Sequence, residues 1–147
     1  MFKIAVLISG NGSNLEALID ACKKNLISGS VEIIISNNPD AYGIQRAKNH
    51  FINYKIIDNN RFETREDFDR ALVEELQDSN PDLIVLAGFM RILTPVMIEA
   101  FKNKIINIHP SLLPKYPGLD THNSVLKNGD LKHGVTCLLY TSPSPRD

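Results

Sequence analysis

Short apolar runs alternate with segments of helical periodicity along most of the chain. The first run, KIAVLI at residues 3–8, shows no alternation of polar and apolar positions after Lys3, which is typical of a strand buried on both faces. Between the runs, apolar residues recur every three or four positions, as on one side of an amphipathic helix. Strands are predicted at residues 3–8, 31–36, 54–57, 83–88 and 105–109, and helices at residues 13–26, 41–49, 64–78, 94–101 and 120–128. This order predicts an α/β fold with a mainly parallel twisted sheet and helices on both faces.

Polar residues indicate where several of these helices begin and end. Ser13, with Glu16 three positions later, fits a capping box at the start of the first helix. Thr64, with Asp67 three positions later, marks the start of the third helix. His50 follows the second helix and is expected to be a solvated residue at its end. Each predicted helix thereby connects two successive strands.

A glycine-containing turn joins the first strand to the first helix. The sequence Gly10-Asn11-Gly12 between a strand and a helix directs backbone N–H groups towards an anion, most often a phosphate. Leu15 stands where the dinucleotide-binding fingerprint has its third glycine, and the turn has no lysine of a P-loop. A phosphate site without either motif is therefore predicted, and an ordinary strand–helix turn is the alternative.

Asn107 and His109 stand at the end of the last strong strand. They are two positions apart, so an extended backbone directs both side chains to one face of the sheet. Pro110 favours extended backbone at His109. A carboxamide beside an imidazole can stabilise a developing oxyanion and supply a proton. The alternative is that Asn107 only ends the strand and His109 is an ordinary loop histidine.

Composition narrows the class of protein. Of the 147 residues, 43% are hydrophobic and 22% charged, and the formal net charge is −1. This is ordinary for one globular domain and gives no basic surface for nucleic acid or an anionic membrane. No apolar stretch has the length of a membrane span. Cys22 and Cys137 form neither a metal-type nor a disulfide-type cluster. We therefore expect a cytoplasmic domain without a metal.

Three motifs extend this interpretation. They are ISGNGSNL at residues 8–15, AGFMRIL at residues 87–93 and NIHPSLLPKYPGLDTH at residues 107–122. In this order and spacing, the chain resembles the phosphoribosylglycinamide formyltransferase family over about its first 136 residues. The resemblance implies a Rossmann-like formyltransferase N-terminal domain. It also implies transfer of a formyl group from 10-formyltetrahydrofolate to the amine of glycinamide ribonucleotide, a step of purine biosynthesis.

The resemblance assigns roles to three groups of residues. Gly12, Ser13 and Asn14 are implied to bind the ribonucleotide phosphate. The folate is implied to bind to Arg65, Met90, Arg91, Ile92 and Leu93. The catalytic residues are implied to be Asn107 and His109. In the implied reaction Asn107 donates a hydrogen bond to the tetrahedral oxyanion, and protonated His109 stabilises it and moves a proton. Folate is a co-substrate, no metal takes part, and the enzyme is a monomer or homodimer with small-molecule substrates only.

Other functions stay open on the sequence alone. Methionyl-tRNA formyltransferase shares the N-I-H strand but usually continues with R-G-A, where Tyr116-Pro117-Gly118 stands here. Formyltetrahydrofolate deformylase shares it too, and carries an additional N-terminal regulatory domain. A non-catalytic remnant that binds a nucleotide but has lost turnover is the alternative from another class.

The resemblance ends near Thr136. Residues 137–140 are expected to form a strand, but TSPSPRD follows, and prolines cannot continue a sheet ladder. By residue count, Pro145 stands where the family has a catalytic aspartate, and that role is not transferred to Asp147. We therefore expect an incomplete formyltransferase domain over residues 1–136, a foreign or disordered tail over residues 137–147, and impaired activity.

Overall fold

The computed structural model describes residues 2–109 and 136–140, with the backbone alone described at residue 109 and in residues 136–140. In these residues the elements are β1 (Lys3–Ile8), α1 (Ser13–Lys23), β2 (Ser30–Ser36), α2 (Gly43–Asn49), β3 (Asn53–Ile56), a 3-10 turn (Asn59–Arg61), α3 (Arg65–Ser79), β4 (Leu83–Ala87), α4 (Pro95–Ala100), β5 (Ile105–His109) and β6 (Thr136–Tyr140). The predicted strands and the first four predicted helices are confirmed, with shifts of a few residues at their ends.

The strands form one sheet in the order β3-β2-β1-β4-β5-β6. The first five strands of that order pair in parallel, and β6 pairs with β5 in the antiparallel direction. The mainly parallel sheet is thus confirmed, as is a strand at residues 137–140. The chain runs outwards from β1 to β3 and then returns to β4 on the other side of β1. Such a reversal opens a crevice at the carboxyl ends of the two central strands, where ligands bind in sheets of this kind.

Helices cover both faces of the sheet, as predicted. Along β1, Ile4, Val6 and Ile8 pack against residues of α1 and α2. The alternate residues Ala5 and Leu7 pack against residues of α3 and α4. Residues 4–8 have no solvent exposure. Burial on both faces therefore explains why this strand reads as a continuous apolar run.

The first helix begins differently from the prediction. Gly12, not Ser13, is the N-cap residue of α1, and it lies in the left-handed region at φ 80°. As a glycine it offers no side chain to this helix end. The carboxylate of Glu16 contacts Arg46 and His50 of the α2 region instead. The predicted capping box is therefore wrong, because tertiary partners take the carboxylate that would have turned back to the N-cap.

His50 is not the solvated residue that was predicted. Its side chain is 19% exposed, and its Nε2 lies 2.8 Å from Oε2 of Glu16. Its Nδ1 lies 2.9 Å from Nζ of Lys23. His50 ends α2 on the side that faces α1, and its partners are distant in sequence, so local pattern gave no sign of these contacts.

The predicted start of the third helix at Thr64 is confirmed, because Thr64 Oγ1 accepts a hydrogen bond from the N–H of Asp67 at 3.0 Å.

Some predictions lie outside the described residues. They concern the loop that follows residue 109, the helix at residues 120–128 and the tail at residues 141–147. In the described part of the chain, no helix combines the length and apolar character needed to cross a membrane.

Candidate functional site

The loops that follow β1, β2 and β4 meet at the carboxyl end of the sheet, around Ser9. The Ser9 hydroxyl accepts a hydrogen bond from the backbone N–H of Met90 at 2.8 Å and donates one to Oδ1 of Asn37 at 2.5 Å. The Ser9 carbonyl accepts a further hydrogen bond from Nδ2 of Asn38 at 3.2 Å. Ser9 is 8% exposed, so water competes little for these bonds. One buried residue therefore joins three loops beside the reversal in strand order.

The glycine turn, residues 10–12, leads from β1 into α1 and packs closely against α2. At Gly12 the positive φ disfavours any residue with a Cβ, and a Cβ there would lie 2.9 Å from Cα of Gly43. The N–H of Gly43 donates a hydrogen bond to the carbonyl of Gly10 at 3.0 Å. Glycines on both sides permit this approach of the two backbones. The approach fixes the turn from which α1 starts.

The residues predicted to bind a phosphate all lie at this helix start. Gly12 is the N-cap, and its carbonyl accepts the first helical hydrogen bond, from the N–H of Glu16 at 2.8 Å. Ser13 is exposed and Asn14 half-buried. The first N–H groups of a helix have no carbonyl partner inside the helix, and they carry the positive end of its dipole. This end of α1, which lies at the carboxyl end of the sheet, can therefore hold an anion.

Glu16 lies one turn into α1, and its charge is balanced by α2. Its carboxylate contacts His50 at 2.8 Å and Arg46 at 3.4 Å. The hydrogen bond with His50 lowers the pKa of Glu16 below its ordinary value, with help from the charges of both partners and against the effect of partial burial. An anion at the start of α1 therefore meets a carboxylate that already has the guanidinium of Arg46 as a counter-charge.

The second part of the site is the Met90 loop, residues 88–93. Met90 is 79% exposed and Ile92 is 68% exposed, although both are apolar. Leu93 is 5% exposed and belongs to the core between the sheet and α3 and α4. Two exposed apolar side chains beside a polar crevice can contact a flat, partly apolar ligand.

Two arginines were predicted to bind folate together with this loop. The guanidinium of Arg91 lies 5.0 Å from the ring centroid of Phe68 in α3. Within the described residues, Nε of Arg91 is buried and has no hydrogen-bond partner. Arg65 is exposed at the first residue of α3. Arg65 thus belongs to α3, and Arg91 packs against it. This helix lies beneath the Met90 loop.

A buried carboxylate anchors the end of the Met90 loop. Oδ2 of Asp69 in α3 accepts hydrogen bonds from the backbone N–H and from the hydroxyl of Thr94, both at 2.7 Å. Asp69 is 1% exposed. Burial raises the pKa of Asp69 above its ordinary value, while the hydrogen bonds from Thr94 and the charge of Arg91 oppose this rise. The loop is therefore held at one end by Ser9 and at the other by Asp69.

The third part of the site is the end of β5. Asn107 is half-buried and lies opposite Leu86 of β4 in the parallel pairing. The backbone of His109 is extended, as the following proline predicts, and pairs with Thr136 of β6. Both residues thus lie at the carboxyl end of the sheet, next to the strand that carries the Met90 loop. That their side chains act together stays a prediction.

In the described part of the chain, no three His, Cys, Asp or Glu residues cluster as metal ligands would.

Sequence reasoning missed the residues that connect the parts of the site. They are Ser9, Asn37, Gly43, Arg46 and Asp69. Two of them leave a weak sign in the sequence. Asp69 interrupts the apolar side of α3, next to the buried Phe68, and Gly43 stands near the start of a helix, where glycine has little intrinsic preference.

The chain is similar in sequence to proteins of one known family. A family model described as formyl transferase matches residues 2–141. The phosphoribosylglycinamide formyltransferase of Escherichia coli is 52% identical over 138 residues, which is 94% of this chain and 65% of that enzyme. The Haemophilus influenzae enzyme of the same name is 48% identical over 92% of this chain and 64% of its own length. The chain therefore spans a little under two thirds of these relatives.

Solved structures of similar proteins share the fold. Glycinamide ribonucleotide transformylase 1 of Symbiobacterium toebii is 42% identical with a TM-score of 0.75, over 95% of this chain and 65% of that one. The phosphoribosylglycinamide formyltransferase of Coxiella burnetii, solved with CHES, is 45% identical with a TM-score of 0.76, over 96% of this chain and 66% of that one. The arrangement of sheet and helices is thus common to them.

Proposed function

Because this chain belongs to the formyl transferase family, we propose that it transfers a formyl group from 10-formyltetrahydrofolate to the amine of glycinamide ribonucleotide. The observation that carries the proposal is the meeting of the glycine turn, the Met90 loop and the end of β5 at one end of the sheet. Ser9 joins the first two parts directly through the N–H of Met90. An anion site and an apolar surface therefore lie beside a candidate catalytic strand.

The ribonucleotide phosphate is assigned to the start of α1. It accepts hydrogen bonds from the backbone N–H groups around Gly12, Ser13 and Asn14, where the helix dipole favours a negative charge. The rest of the ribonucleotide then extends towards β5, which places its amine near the reacting carbon. Closely packed backbone at the turn keeps these donors in place before the substrate arrives.

The folate is assigned to the Met90 loop. The exposed side chains of Met90 and Ile92 offer apolar contact to the pterin. Nε of Arg91, which has no hydrogen-bond partner among the described residues, offers a donor. Leu93 is part of the core, so it takes part through its backbone. Arg65, exposed at the start of α3, is assigned to the acidic part of the folate.

The chemistry is assigned to Asn107 and His109. The amine attacks the formyl carbon, a carbon–nitrogen bond forms and the carbonyl oxygen becomes an oxyanion. Asn107 donates a hydrogen bond to that oxygen, and protonated His109 stabilises it. When the intermediate collapses, the bond from carbon to folate N10 breaks, the proton leaves the former amine and N10 takes one up through His109. The products are the formylated ribonucleotide and tetrahydrofolate.

We assign this chemistry to residues 1–136, acting in the cytoplasm on small-molecule substrates as a monomer or homodimer. Composition supports the small-molecule part of this assignment, since the chain has no excess of basic residues for a polyanionic partner.

The test measures binding and transfer on the same sample of the 147-residue chain. Mass spectrometry follows the formylated ribonucleotide, and calorimetry follows the binding of each substrate. Slow formation of product that requires both substrates is the expected result, in line with the impaired activity expected from the sequence. Binding of the ribonucleotide without transfer would instead favour a non-catalytic remnant, and a folded chain that does not bind the ribonucleotide would refute the proposal.

Two glycine variants make the test specific for the phosphate site. Gly12→Val should weaken ribonucleotide binding much more than folate binding, since Cβ at this positive φ also meets Gly43 at 2.9 Å. Gly29→Val is the matched control. A Cβ there is equally crowded, 2.9 Å from the carbonyl of Phe2, but Gly29 precedes β2 at the opposite end of the sheet. It should retain ribonucleotide affinity.

A further inference from the structure

We infer that Arg46 is a positioning residue, which holds the glycine turn in the conformation that binds the ribonucleotide phosphate. The inference rests on the proposed function and names a residue that lies outside the three binding and catalytic groups. It starts from the middle residue of the turn, Asn11, whose backbone and side chain are both bound by the same guanidinium.

The guanidinium of Arg46 clamps Asn11 with two hydrogen bonds. Nε donates to the backbone carbonyl of Asn11 at 2.8 Å, and Nη2 donates to its Oδ1 at 2.7 Å. The planar fork of arginine matches two acceptors at once, which a lysine ammonium cannot do with the same geometry. Asn11 is itself exposed, so without the clamp the turn has little to fix it on that side.

The clamp is held from both helices. Nη1 of Arg46 donates to Oε1 of Glu16 in α1 at 3.4 Å, and the guanidinium lies 5.0 Å from the ring centroid of Tyr42. Glu16 is fixed in turn by His50. The Arg46 side chain is 21% exposed, so its rotamers are restricted before any ligand binds.

All three nitrogens of the guanidinium donate to the protein itself. Nε and Nη2 are engaged by Asn11 and Nη1 by Glu16. The Nε–Nη2 edge of the guanidinium, which could hold a phosphate through two parallel hydrogen bonds, therefore faces Asn11 and not the anion. The contacts therefore indicate that Arg46 acts through the shape of the turn, together with the hydrogen bond from Gly43 to Gly10.

The experiment titrates the 147-residue chain and three variants with glycinamide ribonucleotide and, separately, with 10-formyltetrahydrofolate. Arg46→Ala should weaken ribonucleotide binding about tenfold, or about 1.4 kcal/mol, and leave folate binding within about twofold. Arg46→Lys should stay close to Arg46→Ala, since it restores the charge and not the fork. Lys48→Ala is the control on the same helix, where Nζ lies over the ring of Tyr54, and it should bind both ligands normally.

Each other outcome overturns the inference. If wild type does not bind the ribonucleotide, both the proposed function and the inference fail. If wild type binds and Arg46→Ala binds equally well, only the inference fails. Full recovery in Arg46→Lys would show a charge effect instead of positioning, and equal loss of both ligands would show general damage. If Arg46→Ala does not fold, Arg46→Lys and Glu16→Gln test the inference in its place. Both should weaken binding of the ribonucleotide and not binding of the folate, and normal ribonucleotide binding in both refutes the inference.

Discussion

Asp69 and Glu16 each hold part of this site through a carboxylate, and the fold shifts the pKa values of the two groups in opposite directions. Asp69 is buried and holds Thr94 with one oxygen, and burial raises its pKa. Glu16 is partly exposed between His50 and Arg46, and its pKa is lowered. A raised pKa in the folded state of an acid makes stability fall as pH rises, and a lowered pKa makes it rise.

The difference in stability between Asp69→Asn and wild type should therefore depend on pH. Between its ordinary pKa of 3.8 and the raised native value, the unfolded chain binds fewer protons than the native chain, so wild type loses stability as pH rises. Asp69→Asn has no such loss, so its stability relative to wild type should increase through this window and then level off. Asp69→Ala leaves the N–H and hydroxyl of Thr94 without their acceptor and should cost about 1–3 kcal/mol. Urea unfolding across pH measures both, and a gap between Asp69→Asn and wild type that does not change with pH would contradict the raised pKa.

Glu16 should show the reverse dependence. Its folded pKa lies below the ordinary value of 4.5, so its contribution is present above that value and is lost as pH falls through the folded pKa. The stability gap between wild type and Glu16→Gln should therefore close in acid. Thermal unfolding of both proteins between about pH 3 and pH 6 measures the gap, and a gap that persists unchanged at the acid end would show that the ionised carboxylate does not carry the effect.

At the scale of elements, the contact between the glycine turn and α2 decides how α1 starts. The helix α2 has only seven residues, which is too short for a stable isolated helix, so packing holds it in place. Gly43 is central to that packing. A Cβ there would lie 2.3 Å from Cδ1 of Ile8, a residue with no solvent exposure, and 3.4 Å from the carbonyl of Gly10.

Gly43→Ala should consequently destabilise the protein by about 1–3 kcal/mol, as overpacking does elsewhere, and should weaken ribonucleotide binding by moving α2 away from the turn. Ile8→Val removes the Cδ1 atom that the new methyl group meets. The double variant should therefore be more stable than the sum of the two single changes predicts. Strict additivity of the three unfolding free energies would show that this contact is not the source of the strain.

Elements were more predictable from the sequence than the contacts between them. Strands such as β1 are apolar on both faces, and the start of α3 carries its own cap, so each is visible within a few residues of sequence. The capping box at Ser13 failed because its glutamate binds partners 30 and 34 positions away. The hydrogen bond between Ser9 and Met90 likewise joins residues that are 81 positions apart, and it was not predicted. Local pattern carries no information on such pairs.

At the scale of the whole molecule, the strand order explains why the predicted residues share one end of the sheet. Parallel strands place all their carboxyl ends together, so motifs after β1, β4 and β5 had to meet somewhere along that end. The order itself, with β4 beside β1, comes from packing of the complete sheet and brings the Met90 loop next to Ser9. The motifs indicated which residues matter, and the topology sets their neighbours.

The three parts of the site should accordingly separate in steady-state kinetics. Gly12→Val should raise KM for the ribonucleotide, and Met90→Ala should raise KM for the folate, since each removes contact with one substrate only. Asn107→Ala and His109→Ala, made at the matching positions of a full-length relative, should instead lower kcat by about 10²-fold or more, with smaller changes in either KM. The reason is that both groups act on charge that develops in the transition state and is absent from the bound substrates. Initial rates over a grid of both substrate concentrations give all the constants, and kcat near the wild-type value in either β5 variant would reduce that strand to a scaffold.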